Sequence, residues 1–443
     1  MKDDEYYDVR DDRLLRYPDA RRLDQTRWIA IRGAPDYLRS YAGQVALLTA
    51  ANLLGRMTRR VALDIPQTAI VPPLPWAGED IAGFACAQMR AADPRGEYLI
   101  RPAHESDHIV FLGASGAPVV THGTGWLAYT GPAPSPLPAD DSANPIGAAL
   151  AVIATAAQLA AHGFGAPPAA VLLNSFNWTH EFGTPLPALP PGADLGALWA
   201  IGTGSVGTAI LYFLTLATRN FSALLFDRDK VKRENITRAP IFADGDIGSA
   251  KAEVMESYLK RCGMADASHE PVMLHESRTW TQRASGTPDL VIAAANEHNV
   301  RHQIESLFPP VQIYGTTGRN WQASVIRHVP MVDPCSCCLF PETSYTPTGC
   351  ATDPEAAPVG EPQFDAALPH LSFAAGLMAA AEILKLAVPG YAMAPNRSVL
   401  YTNPELRLAR AGVKLRQGCV CGARSRAVHG EMIAGSRYAA LSG

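Results

Sequence analysis

Residues Leu198 to Lys251 read LWAIGTGSVGTAILYFLTLATRNFSALLFDRDKVKRENITRAPIFADGDIGSAK. A short apolar run, Leu198 to Ile201, leads into Gly202, Gly204 and Gly207 in G-x-G-x-x-G spacing. A long apolar segment without Gly or Pro follows, and a second apolar run ends at Asp227. The pattern predicts strand, glycine turn, helix, strand. Glycine is required because the turn is tight and its backbone must approach a phosphate closely. The helix N-terminus then offers unpaired N–H groups and a positive dipole end to the anion. Asp227 stands twenty residues past Gly207, where a carboxylate can accept both ribose hydroxyls of a nucleotide.

The residues after Asp227 decide between nucleotides. A nicotinamide dehydrogenase, the competing reading, needs nothing particular there. Here Asp229 and Val231 follow, then Asn235 and Arg238 in N-x-x-R spacing, then Lys251. Arg238 can fork onto phosphate oxygens and Lys251 can place a point charge where pyrophosphate leaves, which suits a triphosphate. On these residues the stretch resembles the ThiF-type, ubiquitin-activating superfamily, whose glycine turn, D-x-D-x-V, N-x-x-R and lysine share this spacing. The resemblance implies an adenylyltransferase using ATP and Mg2+ on the C-terminal carboxylate of a ubiquitin-like protein or sulfur carrier. It implies that Gly202, Gly204, Gly207, Asp227, Asp229 and Asn235 surround the nucleotide, with Arg238 and Lys251 as catalytic cations.

At 443 residues the chain is long enough for two domains. It is 47% hydrophobic and 18% charged, as in soluble globular proteins, and a net charge of −4 gives no reason to expect nucleic acid. The start, MKDDEYYDVRDD, is not a signal peptide. Apolar stretches are interrupted before membrane length, so no span is expected. Five of the eight cysteines fall in two tight clusters, which points to metal and chemistry in a reducing compartment, hence the cytoplasm.

The first half echoes the second. Gln44 to Met57 and Ala77 to Ala92 read as helices, and the run ending near Asp64, Tyr98 to Arg101 and His108 to Gly113 as strands. Ser249 to Cys262, helical, and Pro271 to Leu274, strand-like, follow the same order. The small-residue run Pro145 to His162 matches His370 to Leu386. The expected class is α/β with two Rossmann-like adenylation lobes, an N-terminal degenerate one lacking the glycine turn and a C-terminal active one. The Pro- and Gly-rich run from Gly183 to Gly192 separates them, giving domains 1–185 and 194–443 and a linker at 186–193. The alternative for the first half is an unrelated α/β cap. In the superfamily a partner half lends an arginine to the nucleotide. Arg13, Arg16, Arg21 and Arg22 stand ahead of the first lobe for that role, or form a solvated basic stretch.

Asp289 to Ala295 is an apolar buried strand whose C-terminal end should face the nucleotide. Counting from Lys251 puts Asn296 where the family keeps a magnesium-binding carboxylate, and Arg301 matches a later family arginine. An amide is the weaker ligand for a hard cation, so Glu297 or Asp229 compensates, or the lobe is slow or inactive. Cys335 and Cys338 form a C-x-x-C knuckle, and Cys419 and Cys421 a C-x-C pair. Together they suit a closed structural Zn2+ site, with Cys337 as a possible substitute ligand and redox chemistry at Cys335 and Cys338 as the alternative. Between knuckle and helix, the Pro-rich crossover loop 341–369 carries one thiol, Cys350. By resemblance Cys350 attacks the acyl-adenylate and forms a thioester, although Asp353 and Glu355 oppose its ionisation. Cys86 and Cys262 read as core. The expected function is activation of a ubiquitin-like protein through its C-terminal tail and delivery to a conjugating enzyme, a homodimer being left open. Activation of a sulfur carrier or peptide, and a non-catalytic scaffold, are the alternatives.

Overall fold

The computed structural model describes residues 3–16, 23–116, 119–132, 134–138, 142–164, 169–183, 185–282, 287–295, 298–306, 309–330, 332–339, 367–391, 395–419, 421–422 and 426–441. The first half runs α1 (Asp3–Leu15), β1 (Ile29–Gly33), α2 (Pro35–Arg39), α3 (Tyr41–Met57), β2 (Arg60–Asp64), α4 (Ile81–Ala92), β3 (Glu97–Ile100), β4 (His108–Leu112), β5 (Val120–Thr124), β6 (Leu127–Gly131), α5 (Ile146–His162) and β7 (Val171–Asn174). The second half opens with β8 (Gly196–Ile201), α6 (Ser205–Ala217), β9 (Phe221–Phe226), α7 (Arg233–Ile236), α8 (Lys251–Arg261), β10 (Ala267–Glu270) and α9 (Arg278–Gln282). It continues with β11 (Leu290–Ala293), α10 (His298–Ser306), β12 (Gln312–Gly318), β13 (Gln322–His328), α11 (Ser336–Leu339), α12 (Pro369–Lys385), β14 (Arg397–Tyr401), β15 (Arg407–Ala411) and α13 (Arg426–Ala434).

The strands form two sheets of one topology. The first is ordered β3-β2-β1-β4-β5-β6-β7 and the second β10-β9-β8-β11-β12-β13-β14-β15. Taken strand for strand the two permutations are identical, and the second sheet adds one edge strand. In both, the first five strands are parallel and the rest antiparallel. Helices α3 and α12 are buried along all their residues, as expected for helices apolar on every side. With α5 and α6 they pack together between the lobes, and one hydrophobic core runs through both. Gly376 lets α12 approach α6 closely: a Cβ there would lie 2.3 Å from the Ala209 Cβ.

The place in the first sheet that corresponds to the glycine turn is packed differently. Where the second lobe has a glycine turn, β1 runs through Ala34 into the short helix α2, and Leu38, 2% exposed, fills the space beneath Gly33. Asp64 ends β2 as Asp227 follows β9, but its carboxylate is paired at 2.8 Å with Arg32, its partner in register on β1. Two expected boundaries are corrected. The strand placed at Pro271 to Leu274 lies at Ala267–Glu270, a polar edge strand without the apolar signature, and Leu274 opens a 3-10 turn. The helix placed from Ala77 begins at Ile81, because the Asp80 side chain accepts from the Gly83 N–H and caps it there. No described helix is long and apolar enough to cross a membrane.

A buried charge cluster joins the lobes. Glu382 accepts from Trp178 Nε1 at 2.7 Å and Lys385 Nζ at 2.6 Å. Arg327 and Tyr391 reach its other oxygen at 3.2 and 3.3 Å. Burial alone would raise the Glu382 pKa, but Lys385 and Arg327 outweigh it and hold the carboxyl below its ordinary range. Its stabilisation is therefore present above the unfolded carboxyl pKa and is lost as pH falls through the folded one. Glu382→Ala leaves the buried Lys385 without its carboxylate partner and Arg327 with Asp333 at 3.1 Å, and is expected to cost about 3–5 kcal/mol in urea unfolding at pH 7. The mutational cost should shrink at acid pH; a cost that does not change with pH would contradict the charge assignment.

Candidate active site and metal centre

The glycine turn sits at the C-terminal end of β8, between β9 and β11. Gly202 has φ +90, and a Cβ there would lie 2.7 Å from the Ala295 nitrogen. A Cβ on Gly207 would lie 2.0 Å from the Gly202 oxygen. Internal packing thus requires both. Gly204 is different: nothing lies within 4 Å of the position its Cβ would take. It is the N-cap of α6 and offers no side-chain acceptor to the first turn of amides. The place a Gly204 side chain would take, beside that first turn, is therefore open, an arrangement suited to an anion.

Asp227 is tied into the turn. One oxygen accepts from the Thr203 N–H at 2.7 Å and hydroxyl at 3.2 Å, the other from the Asp229 N–H at 2.9 Å. Burial pushes its pKa up, against the pull of Lys251. Lys251 Nζ lies 2.8 Å from an Asp229 oxygen. Backbone bonds from Lys251 N to Asp229 O and from Val231 N to Ser249 O, both 2.9 Å, hold the two segments together. Gly202, Gly204, Gly207, Asp227, Asp229 and Lys251 are therefore gathered at one end of the sheet. Asn235 is buried and its Oδ1 accepts from the Lys232 N–H at 2.9 Å, so it fixes α7. Arg238, half-buried, follows on the same turn.

Arg301 is buried on α10. Helix α1 seats on α7, with Arg13 at 3.7 Å from Glu234, while Arg16 pairs with Asp12 at 2.7 Å. Asn296, Glu297, Arg21, Arg22 and Cys350 lie outside the described residues. Sequence reading missed Thr203, whose buried N–H and hydroxyl anchor Asp227; a threonine between two glycines carries no signal by itself.

The model of the ThiF family matches residues 198–421, just over half of the 443 residues. The chain belongs to the ThiF family. The SAMP-activating enzyme E1 of Haloferax volcanii is 24% identical over 225 residues, 50% of this chain and 78% of that protein. Among solved structures, E. coli MccB with AMPCPP and MccA aligns over 51% of this chain and 66% of its own, at 19% identity and a TM-score of 0.39. MccB with ATP aligns over the same shares, at 18% identity and a TM-score of 0.39. The family is that of the E1-like adenylyltransferases, and ATP use is the expectation it brings.

This ThiF-family chain also gathers four thiols. The sulfurs of Cys335, Cys338, Cys419 and Cys421 lie within 4.8 Å of one another. Cys335 to Cys419 and Cys338 to Cys421 are 3.4 Å apart, and Cys335 to Cys338 4.0 Å. A tetrahedral Zn2+ with Zn–S bonds of about 2.3 Å requires sulfurs about 3.8 Å apart, so the set fits that ion. None of the four is in a disulfide. The Arg416 N–H points at Cys338 Sγ at 3.4 Å, a bond of the kind that orients a ligand thiolate. Cys337, offered by the sequence as a substitute ligand, is buried beside the cluster but outside the set. Cys335, just before α11, and Cys338 on it reach the two tail thiols, and Cys337 does not. Cys86 and Cys262 are buried core residues, as their apolar contexts imply.

Proposed function

We propose that this chain adenylates the C-terminal carboxylate of a ubiquitin-like protein in the cytoplasm. ATP lies across the turn from Gly202 to Gly207, with the ribose toward Asp227. The carrier's carboxylate oxygen attacks the α-phosphorus, the α–β P–O bond breaks, and pyrophosphate leaves as Arg238 and Lys251 take up its charge. Mg2+ would be held through phosphate oxygens, with Asp229 or Glu297 supplying the protein carboxylate. The Cys350 thiolate then attacks the acyl carbon, forming a thioester and releasing AMP. The observation that carries this reading is the empty space over Gly204 beside the Lys251–Asp229 pair. The likeness to an enzyme named for activating SAMP supports a protein carrier, and the packing of α12 against α3 and α5 supports a first lobe acting in cis as the partner half. A conjugating enzyme would receive the thioester.

Incubation with ATP·Mg2+ and the carrier is expected to give a thiol-sensitive adduct on denaturing gels. Cys350→Ser should abolish the adduct while leaving adenylate formation at the wild-type level. An adduct that survives this substitution would remove Cys350 from the mechanism. The sequence favours one other reading, a nucleotide-binding scaffold, because Asn296 stands where a magnesium carboxylate is expected.

A further inference from the structure

The last turn of α3 buries a guanidinium between the lobes. Arg56 is 5% exposed, and its hydrogen-bond partners are an amide oxygen and peptide carbonyls rather than a carboxylate. Nε donates to Asn52 Oδ1 at 2.8 Å and Nη2 to the Pro240 oxygen at 2.8 Å. Nη1 donates to the Phe242 oxygen at 3.0 Å and also to that of Ile236. Asn52 Nδ2 adds a second bond to the Pro240 oxygen at 3.0 Å. Burial without a bonded counter-charge pulls the Arg56 pKa down to about 9.

Such an arrangement is costly if all it does is join two lobes. A buried cation loses its hydration, and a well-packed apolar side chain is often as good or better. The partners give the reason. The three carbonyls bracket Arg238: Ile236 lies two residues before it, Pro240 two after and Phe242 four after. A planar fork with fixed donor directions can hold three carbonyls of one turn at set angles, which a lysine cannot.

We propose that Arg56, with Asn52, is a positioning residue that holds the turn from Ile236 to Phe242 in the shape that presents Arg238 to the nucleotide phosphates. The first lobe then sets phosphate recognition in the second without touching the nucleotide. The proposal rests on the adenylation reading for the identity of the ligand, and on the hydrogen bonds alone for the hold on the turn.

Two readouts on the full chain test it: amide hydrogen exchange over residues 233–243 without nucleotide, and titration with ATP·Mg2+. Arg56→Met is expected to speed exchange at the amides of Arg238 and Ala239 and to weaken ATP binding about tenfold or more, since small displacements of a binding group have large effects. Arg56→Lys should be intermediate. Tyr41→Phe, which removes another interlobe hydrogen bond, to the Leu216 oxygen at 2.7 Å, should leave both readouts unchanged even if it lowers stability. If Arg56→Met does not fold, Asn52→Ala and Arg56→Lys make the same comparison. Unchanged exchange in the turn, or an equal loss of ATP affinity in Tyr41→Phe, overturns the proposal. Wild type that binds no ATP overturns the adenylation reading and the nucleotide role of Arg56. Faster exchange in the Arg56 variants then still supports the hold on the turn.

Discussion

Gly204→Asp is expected to abolish ATP binding, at least about a hundredfold weaker, while the fold remains as stable as wild type or slightly more so. Gly204 has φ −72 and ψ −159, extended backbone open to any residue, so conformation does not require glycine there. Its Cβ would meet nothing. Aspartate is moreover among the best N-cap residues, worth about 1 kcal/mol to a helix. By every internal criterion the position should accept a side chain. Glycine serves what comes from outside, and a carboxylate placed on the approaching phosphate costs several kcal/mol, with each 1.4 kcal/mol a factor of ten in affinity. Gly207→Ala should behave oppositely. Its Cβ would collide with the Gly202 oxygen, so stability and binding should fall together. Calorimetric titration with ATP·Mg2+ and a thermal scan on both variants separate the two roles. Undiminished binding by Gly204→Asp would place the ligand elsewhere.

Removal of Zn2+ is expected to have the largest effect on stability. Four thiolates around one structural ion contribute on the order of 10 kcal/mol of apparent binding energy in small zinc domains near pH 7. Here the ion would join α11 to the tail eighty residues on, where Cys419 and Cys421 follow β15. Cys419→Ser, or prolonged chelation, should lower the melting temperature by about 10 °C or more. Metal analysis should find one zinc per wild-type chain and much less in the variant. Cys337→Ser should keep its zinc. Equal zinc loss on Cys337→Ser, or wild type purified without zinc, would contradict the ligand set.

What could be read from the sequence was what depends on near neighbours. The glycine turn declares itself because strand, turn and helix lie within about twenty residues and the three glycines keep a fixed spacing. The thiols were legible because their close pairing signals a metal, though only the fold shows that Cys337 does not reach the tail. The first lobe was harder. Its parallel strands and long helices carry apolar runs, but β5 to β7 are short and include Thr, His and Gly, so the matching topology emerges only from the pairing. The plug of Leu38 and the Arg32–Asp64 pair join residues distant in sequence. Arg56 left no trace: an arginine in the last turn of the helical run QVALLTAANLLGRM reads as a favourable charge at a helix C-terminus. Its carbonyl partners lie some 180 residues away.

ATP–pyrophosphate exchange most directly tests whether a triphosphate is activated across this turn. With a β-grasp ubiquitin-like protein as substrate, label from pyrophosphate should enter ATP only when the carrier's C-terminal carboxylate is free, and Lys251→Ala should suppress it. No exchange by wild type with a carrier shown to bind, together with tight binding of a nicotinamide dinucleotide, would contradict adenylation.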